Sequence, residues 1–421
     1  MAAAANTFKH STRRGAAYVA AQSILNKYAE RYPSLKSMNA GKVLERSAAA
    51  AAILDLQPQT FLKMASKIPS VLVVSPTLQQ ANLARTASLL GVQGPNLLAA
   101  AAKHPQLLLQ KPTTIATNVA QLAELLDVNR AAIVKIGLRH PAVLIQRPHT
   151  LYSNIVALSK LLDVPLPSLI RASLAGPYLL IQKPETLARN ARTFAALIQQ
   201  PEPLVIRSLL RAPSLLTQAP QNLASNLAGT AALLGVPTAT LVRNALQNPR
   251  LFSQQPKTSQ ANFDALLKLL NVTSNQTTNL FMASPQLLLR KPSSLAANFN
   301  ALSKYLHVNK LTLIDALKRQ PRLLAYNPAT LAAKVPYILA ITDACNQTMA
   351  IRDILENVPA AFGYSIPSLQ LRLKLVLAGH TTSLWGALRI STAKAEALLS
   401  RHADSRAAGS IHPGKERFVR A

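Results

Sequence analysis

A single cysteine in 421 residues, Cys345, excludes an internal disulfide and any four-cysteine zinc site. It has no histidine near it in sequence, which marks it as a structural thiol rather than a nucleophile. Acids are scarce too: 16 Asp and Glu stand against 46 Lys and Arg. So few carboxylates leave little material for the paired acids of general acid–base catalysis. The phosphate-cradling G-x-x-x-x-G-K-S/T, the zinc-binding H-E-x-x-H and the dinucleotide-binding G-x-G-x-x-G are all missing. The eight histidines are scattered, and His104 and His140 share a repeat position that suits a loop or surface role rather than ligation. No metal or cofactor is expected. No apolar run reaches the roughly 18 residues of a membrane-crossing helix, so membrane insertion is not expected. Sustained β-type alternation is absent as well.

What is present is positive charge. The formal net charge is +30. Uncompensated charges repel one another and oppose compaction, so the imbalance points to a polyanionic partner. Nucleic acid is the commonest such partner, and an anionic membrane surface the second. A 49% hydrophobic content argues against disorder throughout. The first 29 residues hold Lys9, Arg13, Arg14 and Lys27, a run of alanines and no acid. That is the composition of a mitochondrial or chloroplast transit peptide, and the plainer alternative is a basic helical start to the fold. Residues 1–30 are expected to be this segment, residues 33–395 a repeat array, and residues 396–421 a basic tail.

The array is written in prolines. They stand at 33, 69, 105, 141, 177, 213, 249, 285 and 321, each 36 residues after the last, and then at 359 after a step of 38. A second proline follows seven residues later in most units, from Pro76 to Pro328. After Pro148, Leu151, Ile155, Leu158 and Leu162 recur at helical spacing. That helix is expected to close at Asp163, or at Gly91, Asp127, Gly235 and Asn271 in other units, residue types that tolerate left-handed backbone. A second helix, such as "EPLVIRSLLRA", then runs up to the next proline, which disfavours helical geometry in the residue before it. The expected fold is all-α, a solenoid or superhelix of about ten 36-residue helix-pair repeats.

Charge follows the same period. Six residues before the closing proline stand Lys63, Lys135, Arg171, Arg207 and Arg243; two before it stand Lys67, Lys103, Arg139, Arg211 and Arg319. Positions four apart share one helix face. At about 100° per residue, that face lies about 130 to 170° from the centre of the apolar face. The only acids in either column are Asp315 and, in the stretched last unit, Asp353. An ordinary solvated face mixes signs, whereas a face of repeated cations suits a phosphate track. A second basic set, Lys111, Arg147, Lys183, Arg290 and Lys291, lies beside the second proline, in a loop whose path proline restricts.

The most regular polar column is Asn82, Asn118, Asn154, Asn190, Asn226, Asn262 and Asn298, followed by Lys334. It lies about 70° from the centre of the apolar face, at the flank of the buried side. An amide there is expected to bond backbone groups in the loop between units, with direct ligand contact the alternative. Because the polar columns hardly vary, they suit a repetitive ligand, a phosphate backbone or a duplex shape, rather than a base-by-base code.

The strings "HPAVLIQRP", "GPYLLIQKP", "SPQLLLRKP" and "QPRLLAYNP", with L-L-x-V closing the first helix, resemble the mitochondrial transcription termination factor (mTERF) family. The resemblance implies an organelle address, an α-helical superhelix and nucleic-acid binding through a basic concave side. Members act in organelle transcription, RNA splicing and ribosome assembly. The uniform 36-residue period and the asparagine column depart from the family pattern. The P-P-P-E-W run of octotricopeptide repeats is missing. No base-specific or base-flipping arginine of the family can be placed on a position here. The resulting expectation is a non-enzymatic mitochondrial protein, with a chloroplast address as the alternative. It would clamp structured RNA, ribosomal RNA foremost, with ribosomal proteins as neighbours. Duplex-DNA binding in transcription control and a protein-interaction scaffold are the competing readings.

Overall fold

The computed structural model describes the backbone of residues 2–347 and 349–409 and the side chains of residues 15–347 and 349–401. Of the segments assigned above, the side chains of Lys9, Arg13 and Arg14 and the tail residues 410–421 lie outside it. Every regular element among the described residues is helical. The chain divides into two compact units, Met1–Pro220 and Gln221–Ala421.

In the first unit, one repeat serves for the rest. Its first helix, Pro148–Leu162, opens on a proline at the first helical position, where the missing N–H costs nothing. Leu151, Ile155 and Leu158 are fully buried, and Leu162 is nearly so. Asp163 closes the helix at φ 51°, and the Val164 N–H reaches back to the Ser159 carbonyl. This is a Schellman end. The same closure falls every 36 residues at Asp55, Gly91, Asp127, Gln199, Gly235, Asn271 and His307, all with positive φ. Gln199 and His307 were not among the expected closers, because neither residue type signals left-handed backbone.

The second helix, Leu166–Ala175, stops at Gly176, whose φ −132° and ψ 83° are non-helical because Pro177 follows. His104, His140, Ala212, Asn248, Ser284 and Gln320 adopt nearly the same backbone ahead of their prolines. The P-x-L-L segment is then a single helical turn of its own, Tyr178–Ile181 here and a 3-10 turn in most other repeats. Leu179 and Leu180 are completely buried in that turn. Burial of each contributes about 1.5–3 kcal/mol, enough to fix the turn between the two helices.

The helix Ala2–Tyr28 packs on Ala40–Ile53 and Pro58–Lys67 through Ala21, Ile24 and Leu25, all buried. The second half of the basic N-terminal segment is therefore part of the first unit's core.

The second unit repeats the plan through Thr238–Gln247, Pro256–Leu270, Ser274–Ala283, Pro292–Tyr305 and Lys310–Arg319. Pro336 then divides the next first helix into Pro328–Ala332 and Val335–Ala344. Cys345 closes that segment and is buried, and burial pushes its thiol pKa up. An inert, protonated thiol fits a structural role.

Candidate nucleic-acid interface

Both helix columns of cations point outward. Lys63, Lys67, Lys103, Lys135, Arg139, Arg171, Arg207 and Arg211 are exposed in the first unit, as are Arg243 and Arg319 in the second. The second helices bury the opposite side, as with Val205, Ile206 and Leu209 beneath Arg207. The ion pairs Arg192–Glu202 and Arg352–Glu356 lie outside the cation columns, whereas Lys318–Asp315 touches one of them. Asp315, the acid six residues before Pro321, is already taken by Lys318 at 3.1 Å.

Neighbouring repeats bring the columns into register. The Lys67 Nζ donates to the Lys103 carbonyl, one repeat on, at 3.3 Å. Lys103 and Arg139 both lie near enough to His140 to depress its pKa, after the larger effect of burial. His140 itself stands edge-on to Tyr178, with centroids 4.6 Å apart. Positive potential along the first unit is therefore shared between repeats rather than confined to single side chains.

The loop cations occupy an unfavourable place. Lys111, Arg147, Lys183 and Lys291 are the N-cap residues of their helices, and none caps through its side chain. A helix N-terminus carries partial positive charge and prefers an anion or a short polar side chain. A cation there forgoes on the order of 1 kcal/mol relative to such a cap. Asn327, at the equivalent place, does cap, accepting from the Ala329 N–H at 2.9 Å. Arg290 differs from the other loop cations: its guanidinium donates to the Ala325 carbonyl at 2.7 Å and so joins repeat to repeat.

The asparagines make that junction repeatedly. Their Nδ2 atoms donate to a carbonyl 26 residues on: Asn82 to Leu108 (3.4 Å), Asn118 to Leu144 (3.2 Å), Asn154 to Leu180 (2.7 Å) and Asn190 to Leu216 (2.8 Å). In the second unit, Asn262 reaches Leu288 (2.5 Å) and Asn298 reaches Leu324 (3.1 Å). Asn226 holds the same place in Pro220–Leu234. Each of these acceptors is the last residue of P-x-L-L, or of P-A-V-L for Leu144. Four residues past it, where a helical donor would stand, is the unit's second proline, which has no N–H. The amide supplies the donor that proline removes.

The column extends further than the asparagines. Arg46 donates to the Leu72 carbonyl, again 26 residues on, at 3.2 Å. Lys334, 6% exposed, donates from Nζ to the Phe362 carbonyl at 2.7 Å, and burial lowers its pKa. Arg372, 2% exposed, reaches the Ile390 carbonyl at 2.9 Å and lies over the Tyr364 ring. Arg46 and Arg372 escape a search for asparagine. Counting 36 residues back from Asn82, and the 38-residue final step on from Lys334, would have found them.

Among the described residues, no three His, Cys, Asp or Glu side chains are grouped to hold a metal ion. The mTERF family model matches residues 85–394. No curated protein matches the chain.

Proposed function

We propose, from the premise that the chain belongs to the mTERF family of organellar, non-enzymatic, nucleic-acid-binding helical-repeat proteins, that this member clamps structured RNA through backbone and shape contacts. Ribosomal RNA in the mitochondrion is the first choice of ligand, with ribosomal proteins as neighbours, and no chemistry is performed on it. The single observation behind this reading is the pair of exposed cation columns on the second helices. Like charges at Lys63/Lys67, Lys135/Arg139 and Arg207/Arg211 repel across one helical turn. The loop cations at helix N-caps add a further cost. Such arrangements persist where a phosphate chain neutralises them.

The near-constant columns favour a ligand with a repeating surface over a sequence read base by base. A permanently bound RNA suits this better than a search for one DNA site. The N-terminal targeting role is proposed for the residues that precede the packed stretch at Ala21–Leu25. Crosslinking followed by sequencing from isolated organelles tests the ligand. Ribosomal RNA should dominate the recovered fragments. Recovery mainly of promoter or terminator DNA would replace RNA by duplex DNA, and recovery of neither would leave the scaffold reading.

A further inference from the structure

The cation columns border more than open surface. In the first unit a cleft of about 560 Å³ lies between the helices Leu166–Ala175 and Glu202–Leu209 and the closing loop at Asp163. Its apolar lining includes Val164, Ile206 and Leu210, and Arg171, Arg207 and Arg211 stand along it. One acid, Asp163, shares the lining with these three arginines. A phosphate backbone by itself has no use for an apolar cleft, and an apolar ligand has no use for three guanidiniums. The lining fits a ligand that carries a flat apolar body and a phosphate on one short frame.

The cleft belongs to the repeat, and one of its lining residues is unusual here. A cleft of about 480 Å³ recurs two repeats earlier, with Val92, Val134, Leu138, Lys135 and Arg139 in the corresponding places. In the larger one, Ala175 stands two residues before the closing proline, where Lys67, Lys103, Arg139, Arg211 and Arg319 place a long cation in their own repeats. Ala175 lines the larger cleft, whereas its counterpart Lys103 is not part of the lining of the smaller one. The volume falls within the range of small-ligand sites.

We propose that this cleft holds a single nucleotide unit, its base on Val164, Ile206 and Leu210 and its phosphate on Arg171, Arg207 and Arg211. Guanidinium suits the phosphate because its fork of donors matches two phosphate oxygens. Removal of the base face from water supplies the rest. Two sources carry this chemistry: a free nucleoside monophosphate, and an unpaired nucleotide in a bound strand. The second source rests on the RNA-binding reading; the first does not.

The test uses the full chain with two substitutions at one exposed position. Ala175→Trp fills the cleft without changing charge, and Ala175→Arg fills it while restoring the cation column. Binding of adenosine monophosphate, adenosine and inorganic phosphate is measured by saturation-transfer NMR and equilibrium dialysis, with melting curves as the folding control. The monophosphate should bind at least tenfold tighter than either part alone, and both variants should abolish that advantage. In the strand arm, an RNA duplex with one unpaired nucleotide should bind several-fold tighter than the fully paired duplex. Both variants should lose that preference, although Ala175→Arg gains charge. Retention of monophosphate binding and of the unpaired-nucleotide preference in folded Ala175→Trp would overturn the proposal. So would a wild-type protein that shows neither. Monophosphate binding lost in the variants, from a protein that binds no RNA, would instead overturn the RNA reading and leave the cleft assigned.

Discussion

Asn190 sits half-buried at the flank of its helix, with its amide nitrogen 2.8 Å from the Leu216 carbonyl. That contact explains why one amide recurs at a 36-residue spacing. The acceptor lacks a helical donor because the second proline follows it, and a buried carbonyl without a partner is costly. Asn190→Leu is expected to lower stability by about 1–3 kcal/mol, read as a shift in the urea midpoint, while RNA affinity of the folded fraction is unchanged. Lost binding with an unchanged midpoint would move Asn190 from the scaffold to the ligand. Toward the ends of the array the same task falls to Arg46, Lys334 and Arg372. Lys334 spans a stretched junction, its Phe362 acceptor lying 28 residues on rather than 26, whereas Arg46 keeps the ordinary offset of 26.

Each repeat is bounded by proline at one end and a left-handed residue at the other. At Gln199 and His307 the Schellman closure forms without a residue type that favours left-handed backbone, the Gln200 and Val308 N–H groups reaching back to the Ala195 and Ser303 carbonyls. The N-caps show the converse, a local preference overridden in the interest of something else. Lys183 has no capping bond and faces the positive end of its own helix dipole. Lys183→Ser should therefore stabilise the protein by about 1 kcal/mol through a new cap, seen as a higher melting temperature. The same variant should weaken RNA binding. A gain in stability with no change in affinity would remove the loop cations from the interface.

At the scale of the whole molecule the determining quantity is the net charge of +30. If the columns neutralise about eight phosphates, log K should fall against log salt with a slope of roughly −6 for a single strand and −7 for a duplex. The double variant Arg207→Glu and Arg211→Glu should reduce the slope by about 2 and weaken binding, with melting unaltered because both side chains are exposed. A flat salt response in the wild-type protein would leave only the scaffold reading. Fluorescence anisotropy over a salt series measures both.

Most helix boundaries, the repeat period and the outward direction of the cations were legible in the sequence; the closures at Gln199 and His307 and the break at Pro336 were not. The legible features depend on local rules: where proline can stand, how apolar residues recur at 3.6 per turn, and which face is left over. The buried positions of Leu151, Ile155, Leu158 and Leu162 followed from spacing alone. What the sequence could not supply was the identity of partners across repeats. The Leu288 acceptor of Asn262, the scaffold role of Arg290 and the membership of Arg46 and Arg372 all depend on residues from one repeat meeting backbone from another. The cleft at Arg171, Arg207 and Arg211 is of the same kind. It exists because two second helices and a closing loop leave a gap between them, and no single stretch of sequence contains a gap.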